Sequence, residues 1–128
     1  MTAKQAMTRI FAYGSLMSGE RNHRLLVGAR LVGEARTGPA YSLFDFGAFP
    51  GLVAGGTHAV VGEVYDVAGV TLAALDRLEG HPTLYRRTQI VLEDGRSVET
   101  YLLTRAQVEG RSIVPSGSWR AHRTEKAR

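Results

Sequence analysis

Residues 9–16 read RIFAYGSL, a short apolar and aromatic run that ends in a glycine turn. A run rich in Ile, Phe and Tyr is typical of a β-strand, and Gly14 predicts that the strand stops there. Successive backbone N–H groups in such a turn can bind a carboxylate or an oxyanion, and the Ser15 hydroxyl could add a donor. An ordinary strand-to-helix loop is the alternative at this point, because four residues form a weak pattern.

Outward from this run the chain alternates short strand patterns with turns. Residues 19–28 predict a helix, whereas residues 47–56 read as irregular and residues 120–128 as a frayed basic tail. Asp94-Gly95 joins the last two strand patterns and is a strong β-hairpin signal. With about six strands and two helices, the pattern predicts an α+β fold, a small and mainly antiparallel β-barrel flanked by a few helices. The remaining strand patterns lie at residues 30–35, 41–46, 59–67, 85–92 and 97–104.

The helix of residues 71–79 has the clearest boundaries in the sequence. Thr71 can cap its N-terminus, Gly80 stands at the position where helices end, and Pro82 follows. An apolar stripe of leucines runs along one face. Its members are Leu72, Leu75 and Leu78.

Glu79 occupies an unusual position on this helix. At about 100° per residue it projects between Leu72 and Leu75, inside the apolar stripe. Burial and the C-terminal end of the helix dipole both raise the pKa of a carboxyl group, which suits a general base at neutral pH. The alternative is that the last turn frays into water, or that Glu79 pairs with Arg86 or Arg87.

Composition restricts the class of protein. The 128 residues are 44% hydrophobic and contain no cysteine, so we expect a single domain, residues 1–128, ordered over about 9–120, without disulfides or a thiolate site. Neither a secretory signal nor a membrane span is visible, and a cytoplasmic protein is the default expectation. His23 is more simply a surface or packing residue than an acid–base group. We expect no metal, because the histidines lack ligand spacing. The histidines are His23, His58, His81 and His122.

The net charge of +4 raises nucleic-acid binding as an alternative, because basic domains attract phosphate backbones. The basic residues, however, lie mainly near the two ends of the chain. Residues 10–119 contain ten basic and eleven acidic residues, a net charge of −1. The sequence therefore predicts no nucleic-acid partner.

Taken in order, the motifs resemble the γ-glutamylcyclotransferase-like superfamily, in particular the branch of γ-glutamylamine cyclotransferases and AIG2-like proteins. The resemblance runs from about residue 10 to residue 120 and rests on the Tyr-Gly-Ser-Leu turn of residues 13–16 and four later elements. The later elements are Phe-Pro-Gly-Leu at 49–52, Gly-Glu-Val-Tyr at 62–65, Leu-Asp…Glu at 75–79 with Tyr-Arg-Arg at 85–87, and Tyr101.

This resemblance implies a function and a site. The implied reaction is conversion of a γ-glutamyl amine or γ-glutamyl amino acid to 5-oxoproline and free amine, without a cofactor. Glu79 corresponds to the catalytic base of the family, and the same resemblance points to a substrate-binding set. That set is Tyr13, Gly14, Ser15, Leu16, Tyr85 and Tyr101.

Two alternatives stay open within the resemblance. The chain could be a non-catalytic member that binds a small anionic metabolite in the same cavity. If it is an enzyme, the donor could be γ-glutamyl-ε-lysine, a γ-glutamyl amino acid or a protected biosynthetic intermediate. The oligomeric state is not predicted by the sequence.

Overall fold

A computed structural model describes residues 6–126, and this part of the chain forms a curled sheet with two α-helices beside it. The first strand, β1 (Thr8–Ala12), is the run that precedes the glycine turn. The helices are α1 (Gly69–Glu79) and α2 (Trp119–Lys126), and the 3-10 turns are His23–Leu26 and Ala106–Val108. The other strands are β2 (Arg30–Arg36), β3 (Tyr41–Asp45), β4 (Pro50–Ala54), β5 (Val61–Val67), β6 (Arg86–Val91), β7 (Ser97–Leu102) and β8 (Ser112–Ile113).

The sheet is mainly antiparallel and curls into a half-barrel, which confirms the predicted fold class. Its strand order is β2-β5-β1-β7-β4-β3-β8, with β6 paired to β7. The pairs β1–β7 and β4–β7 are parallel, and the other pairs are antiparallel. The strand pattern of residues 59–67 carries valines on both faces, which predicts an interior strand. Strand β5 does lie between β2 and β1. The Asp94-Gly95 hairpin between β6 and β7 is also confirmed.

One edge of β7 is shared by two strands, and this arrangement positions the site. Strand β6 pairs along the whole of β7, which leaves a single edge for both β1 and β4. Strand β1 meets that edge at Glu99, and β4 meets it at Leu102. The strands β1 and β4 therefore diverge around Tyr101, and the chain leaves β1 at this divergence through Tyr13.

Three local predictions are wrong. The stretch 19–28 forms loop turns and the single 3-10 turn His23–Leu26 instead of an α-helix. Its backbone hydrogen bonds mostly join residues three apart, and not the four apart of an α-helix. The stretch 47–56 contains β4, whose apolar residues pair with β3. Helix α1 begins two residues before Thr71, and no side chain hydrogen-bonds its N-terminus, where Ala68 takes an extended conformation.

The expectation of a frayed tail over residues 120–128 is also wrong as far as Lys126. Helix α2 packs through Trp119, whose side chain is only 1% exposed. Its polar side chains pair with acidic residues elsewhere in the fold: His122 and Lys126 with Asp45, and Arg123 with Glu20. Non-local partners therefore order a segment that has no helical apolar pattern. Residues 127 and 128 lie outside the described residues.

Candidate active site

A cavity of about 220 Å³ lies where β1 and β4 diverge. Its walls come from the turn after β1, the start of β4, the end of α1 and the segment before β6. All seven site residues predicted from the sequence line it. They are Tyr13, Gly14, Ser15, Leu16, Glu79, Tyr85 and Tyr101.

Glu79 is the last residue of α1, and its orientation into the cavity follows from how the helix ends. Gly80 adopts the left-handed conformation with φ of 67°, and its N–H bonds back to the helix, so the last turn does not fray. Leu75 is fully buried on the same side of the helix. Glu79 is partly buried, and burial raises its pKa from 4.5 to about 7. No hydrogen bond or ion pair to its carboxylate is found among residues 6–126.

Arg87, an expected partner for Glu79, is engaged elsewhere. Its guanidinium holds Asp76 at 2.9 Å and Glu99 at 2.5 Å. The Tyr101 hydroxyl donates to the same Asp76 carboxylate at 2.7 Å. Asp76 therefore keeps the cation away from Glu79, and neither of the two alternatives for Glu79 occurs.

The turn after β1 presents unused backbone donors to the cavity. The chain folds back through hydrogen bonds from Met17 N–H to the Gly14 carbonyl at 3.1 Å and from Asn22 N–H to the Ser15 carbonyl at 2.9 Å. Among the described residues, no acceptor is found for the N–H groups of Gly14, Ser15 and Leu16. The Asn22 amide donates to the Ser15 hydroxyl oxygen at 2.9 Å, which leaves the hydroxyl proton free to point elsewhere.

Gly14 is required by a close contact rather than by its backbone angles. A Cβ atom built on Gly14 would lie 2.7 Å from Pro50 Cγ and 2.8 Å from its Cδ. Pro50 in turn accepts a 2.9 Å hydrogen bond from the Tyr85 hydroxyl on its carbonyl oxygen. The glycine therefore lets the turn and the start of β4 form adjacent walls of the cavity.

Three tyrosines line the cavity, and the protons of their hydroxyl groups are already used in hydrogen bonds. Tyr13 donates to the Tyr101 carbonyl at 2.6 Å, Tyr85 donates to Pro50, and Tyr101 donates to Asp76. Burial raises the pKa of all three phenols. Among the titratable groups that line the cavity, Glu79 is therefore the one whose pKa lies near neutrality.

Arg21 is a residue of this cavity that sequence reasoning missed. Its exposed side chain lies in the lining beside Ser15 and Asn22. Within residues 6–126 its guanidinium has no acidic partner, so it is available to a bound anion. The sequence offers no signal for this role, because Arg21 lies in a segment whose loop geometry the pattern did not predict.

His23 packs and does not face the cavity. Its Nδ1 lies 2.9 Å from the Leu16 carbonyl oxygen, and its ring lies 5.8 Å from that of Tyr65. In residues 6–126, no group of three His, Asp or Glu side chains converges to hold a metal ion. In the same range, no helix is long and apolar enough to cross a membrane.

Comparison with known sequences identifies the family. The profile described as Gamma-glutamyl cyclotransferase, AIG2-like, matches residues 10–121. The chain belongs to this family. The resemblance seen in the sequence is thereby confirmed. The AIG2-like family match includes all the residues that line the cavity.

Individual relatives agree with the AIG2-like assignment. A Vibrio cholerae protein, provisionally named a gamma-glutamylcyclotransferase, is 43% identical over 115 residues, 86% of this chain and 93% of that protein. The solved structure of the uropathogenic Escherichia coli-specific protein c4763 superposes with a TM-score of 0.82 at 27% identity, covering 93% of this chain and 97% of that one. The solution structure of ytfP from Escherichia coli gives 0.68 at 37% identity, covering 88% and 96%.

Proposed function

We propose that this protein converts a γ-glutamyl amine or γ-glutamyl amino acid to 5-oxoproline and a free amine. The observation that carries the proposal is Glu79, a carboxyl group with a pKa of about 7 and no partner among the described residues, facing a cavity whose other wall offers unused N–H groups. Membership of the AIG2-like gamma-glutamyl cyclotransferase family supports the γ-glutamyl class of substrate.

The reaction needs little machinery because the substrate carries its own nucleophile. The α-amine attacks the γ-carbonyl carbon, a five-membered lactam closes, and the bond from that carbon to the departing nitrogen breaks. Holding the glutamyl chain in a folded conformer supplies most of what an intramolecular attack requires. No water is consumed, and no electron transfer takes place.

Glu79 moves the proton in this mechanism. As a carboxylate it accepts a proton from the attacking α-amino group, and as a carboxylic acid it returns a proton to the departing amine. A pKa of about 7 allows both forms to be populated near neutral pH. The position of Glu79 in the cavity lining supports access to both nitrogen atoms.

The turn of residues 14–16 is the proposed anchor for the substrate's α-carboxylate. Its N–H groups are donors without acceptors in the described chain, and donors of this kind also stabilise a developing oxyanion. Arg21, which also lines the cavity, is the proposed counter-charge. The glutamyl chain is proposed to pack against the rings of Tyr13, Tyr85 and Tyr101.

The test is release of 5-oxoproline from a panel of γ-glutamyl amines and γ-glutamyl amino acids by wild type and Glu79→Gln. We expect the variant to fold and to lose at least about 100-fold in kcat, as removal of a general base does. Glu109→Gln, at an exposed glutamate outside the cavity, is the matched control and should retain wild-type turnover. Near wild-type turnover by Glu79→Gln would remove Glu79 from the mechanism. If the wild type binds these donors without releasing 5-oxoproline, the non-catalytic alternative replaces the proposal.

A further inference from the structure

The segment that follows the substrate turn is hydrogen-bonded to a buried carboxylate on strand β5. Glu63 of β5 is only 6% exposed. It accepts hydrogen bonds from Ser18 N–H at 2.7 Å and from the Ser18 hydroxyl at 2.9 Å, and a third from the Tyr65 hydroxyl at 3.0 Å. The resemblance includes this glutamate in the Gly-Glu-Val-Tyr stretch, but the proposed mechanism does not use it.

Helix α2 holds the same segment from the other side. Arg120 donates a 2.5 Å hydrogen bond to the Ser18 carbonyl oxygen, and its guanidinium also lies 3.8 Å from the Glu63 carboxylate. All three polar groups of Ser18, its N–H, its hydroxyl and its carbonyl, are therefore bonded. Arg123 adds an ion pair with Glu20, two residues further along the segment.

Burial of a carboxylate to hold a loop costs free energy of folding. Burial opposes ionisation of Glu63, but the hydrogen bonds from Ser18 and Tyr65 outweigh it and lower its pKa. Replacing both members of a buried ion pair with well-packed apolar side chains is often neutral or stabilising, although removal of one member alone is destabilising. The free energy of unfolding by itself therefore gives no reason for a charge at this position.

The geometry of the turn shows what this charge can control. Ser18 lies two residues beyond Leu16, and the hydrogen bonds from Met17 to Gly14 and from Asn22 to Ser15 close residues 14–22 into one compact loop. A shift of Ser18 would therefore be transmitted to the N–H groups of residues 14–16. Their directions matter, because a bound carboxylate needs donors within a few tenths of an ångström of their proper positions.

We propose that Glu63 and Arg120 are positioning residues of the active site, which fix Ser18 and so orient the N–H groups of residues 14–16 toward the substrate. The inference rests on the proposed binding role of that turn. It also assigns a function to the basic C-terminal helix, which holds the anion-binding loop against the sheet. The two residues act through the loop and do not touch the substrate.

Kinetics of three variants test the proposal, with a panel donor that the wild type turns over. Glu63→Leu removes the shared acceptor of Ser18 and Tyr65, so it should loosen the loop and also lower the free energy of unfolding. We expect KM to rise about tenfold, as it would if the substrate's carboxylate lost one hydrogen bond from the turn of residues 14–16. The value of kcat should change less than about threefold. Ser18→Ala removes a single hydroxyl donor from an exposed residue and serves if Glu63→Leu does not fold.

Variants of α2 separate positioning from general stability. Arg120→Met should raise KM in the same way, and Arg120→Lys, which keeps a donor, should restore most of the affinity. Lys126→Met is the matched control, because it removes an ion pair of the same helix whose partner is Asp45 rather than the loop. An unchanged KM in both Glu63→Leu and Arg120→Met would overturn the proposal, as would an equal rise in KM for Lys126→Met.

Backbone dynamics separate failure of this proposal from failure of the proposed function. Nitrogen-15 relaxation of the full chain should give lower order parameters at residues 14–18 in Arg120→Met than in wild type, with β3 and β4 unchanged. If no donor yields 5-oxoproline with the wild type, the proposed function fails, and this measurement still decides whether Arg120 orders the loop. Unchanged order parameters at residues 14–18 would refute the positioning role.

Discussion

The hydroxyl of Tyr13 donates a 2.6 Å hydrogen bond to the backbone carbonyl of Tyr101. The same oxygen accepts from the N–H of Leu52 at 3.3 Å. One side chain thus bridges β7 and β4 at the point where β1 leaves the shared edge of the sheet. The hydroxyl adds a side-chain link beside the single ladder pair of these strands, Leu52 with Leu102, and the cavity opens next to it.

Removal of that hydroxyl should therefore destabilise the fold. Tyr13→Phe removes two buried hydrogen bonds, at a cost of about 1–3 kcal/mol in the free energy of unfolding. Urea denaturation followed by circular dichroism measures this directly. Tyr41→Phe is the control: the Tyr41 hydroxyl makes no hydrogen bond within residues 6–126, so its removal should change the free energy by less than about 0.5 kcal/mol. Equal stability of the two variants would contradict the bridging role.

The contact of Gly14 with Pro50 gives a second prediction. In Gly14→Ala the new methyl group would lie within 2.8 Å of two ring carbons of Pro50, so the turn and the start of β4 must move apart. Because Pro50 also accepts the hydrogen bond of Tyr85, we expect the cavity to distort and kcat/KM for a panel donor to fall at least about tenfold, as small displacements of a site do. The measurement is steady-state release of 5-oxoproline.

The control for this substitution is Gly38→Ala. A Cβ atom at Gly38 meets nothing within 4 Å, so the same chemical change carries no steric cost there. Wild-type kcat/KM is expected for Gly38→Ala. A Gly14→Ala variant that behaved like Gly38→Ala would show that the close contact does not shape the cavity.

The pKa of Glu79 predicts an opposite pH dependence for activity and stability. Because burial raises this pKa from 4.5 to about 7, the folded protein keeps a proton between those pH values that the unfolded chain has already lost. The associated stabilisation is complete below pH 4.5 and is lost as pH rises through about 7, at most about 3 kcal/mol. The carboxylate needed as the base appears over the same range, so activity should rise as this stability falls.

Glu79→Gln isolates this titration, since a glutamine carries no charge into the cavity. The variant should unfold at about the same urea concentration as wild type near pH 4 and at a higher concentration above pH 7. Carbon-13 NMR of the glutamate carboxyl groups should contain one resonance that titrates near pH 7 in wild type and is missing in the variant. If the missing resonance titrates near 4.5 instead, Glu79 is an ordinary surface carboxylate.

The C-terminal helix should contribute substantially to stability. Trp119 is 1% exposed at the start of α2, and truncation of a buried tryptophan costs about 3–5 kcal/mol. Trp119→Ala should therefore lower the midpoint of urea denaturation strongly. Val27→Ala, at a side chain that is 76% exposed, should leave it nearly unchanged. A small effect of Trp119→Ala would support the frayed tail that the sequence predicts.

Features encoded by neighbouring residues could be read from the sequence. The strand of residues 9–13, the hairpin at Asp94-Gly95 and the end of α1 at Gly80 each depend on local propensity and turn chemistry. The helical period also determines that Glu79 shares a face with Leu75. Local patterns singled out Glu79 and the turn at Gly14 and Ser15, and the family resemblance supplied the other residues that line the cavity.

Features that depend on distant partners could not be read in this way. The apolar stretch at residues 47–56 becomes β4 only because β3 and β7 offer it hydrogen bonds. Residues 19–28 have a partly helical pattern, but their loop is held by Glu63 and Arg120, 45 and 102 residues from Ser18 along the chain.

The amino-acid sequence by itself determined the strand-rich fold class and the position of Glu79 on an apolar helix face, because periodicity and turn residues act over a few positions. Its ordered motifs carried the resemblance to the family. Only the tertiary structure decided that Arg87 is bound to Asp76 and leaves Glu79 unpaired, and that Tyr13 bridges β4 and β7. It also decided that the basic tail is a helix that contacts the loop after β1 at Ser18 and Glu20. These outcomes depend on which of several basic or polar residues comes within hydrogen-bond distance after the sheet curls, and spacing along the chain carries no such information.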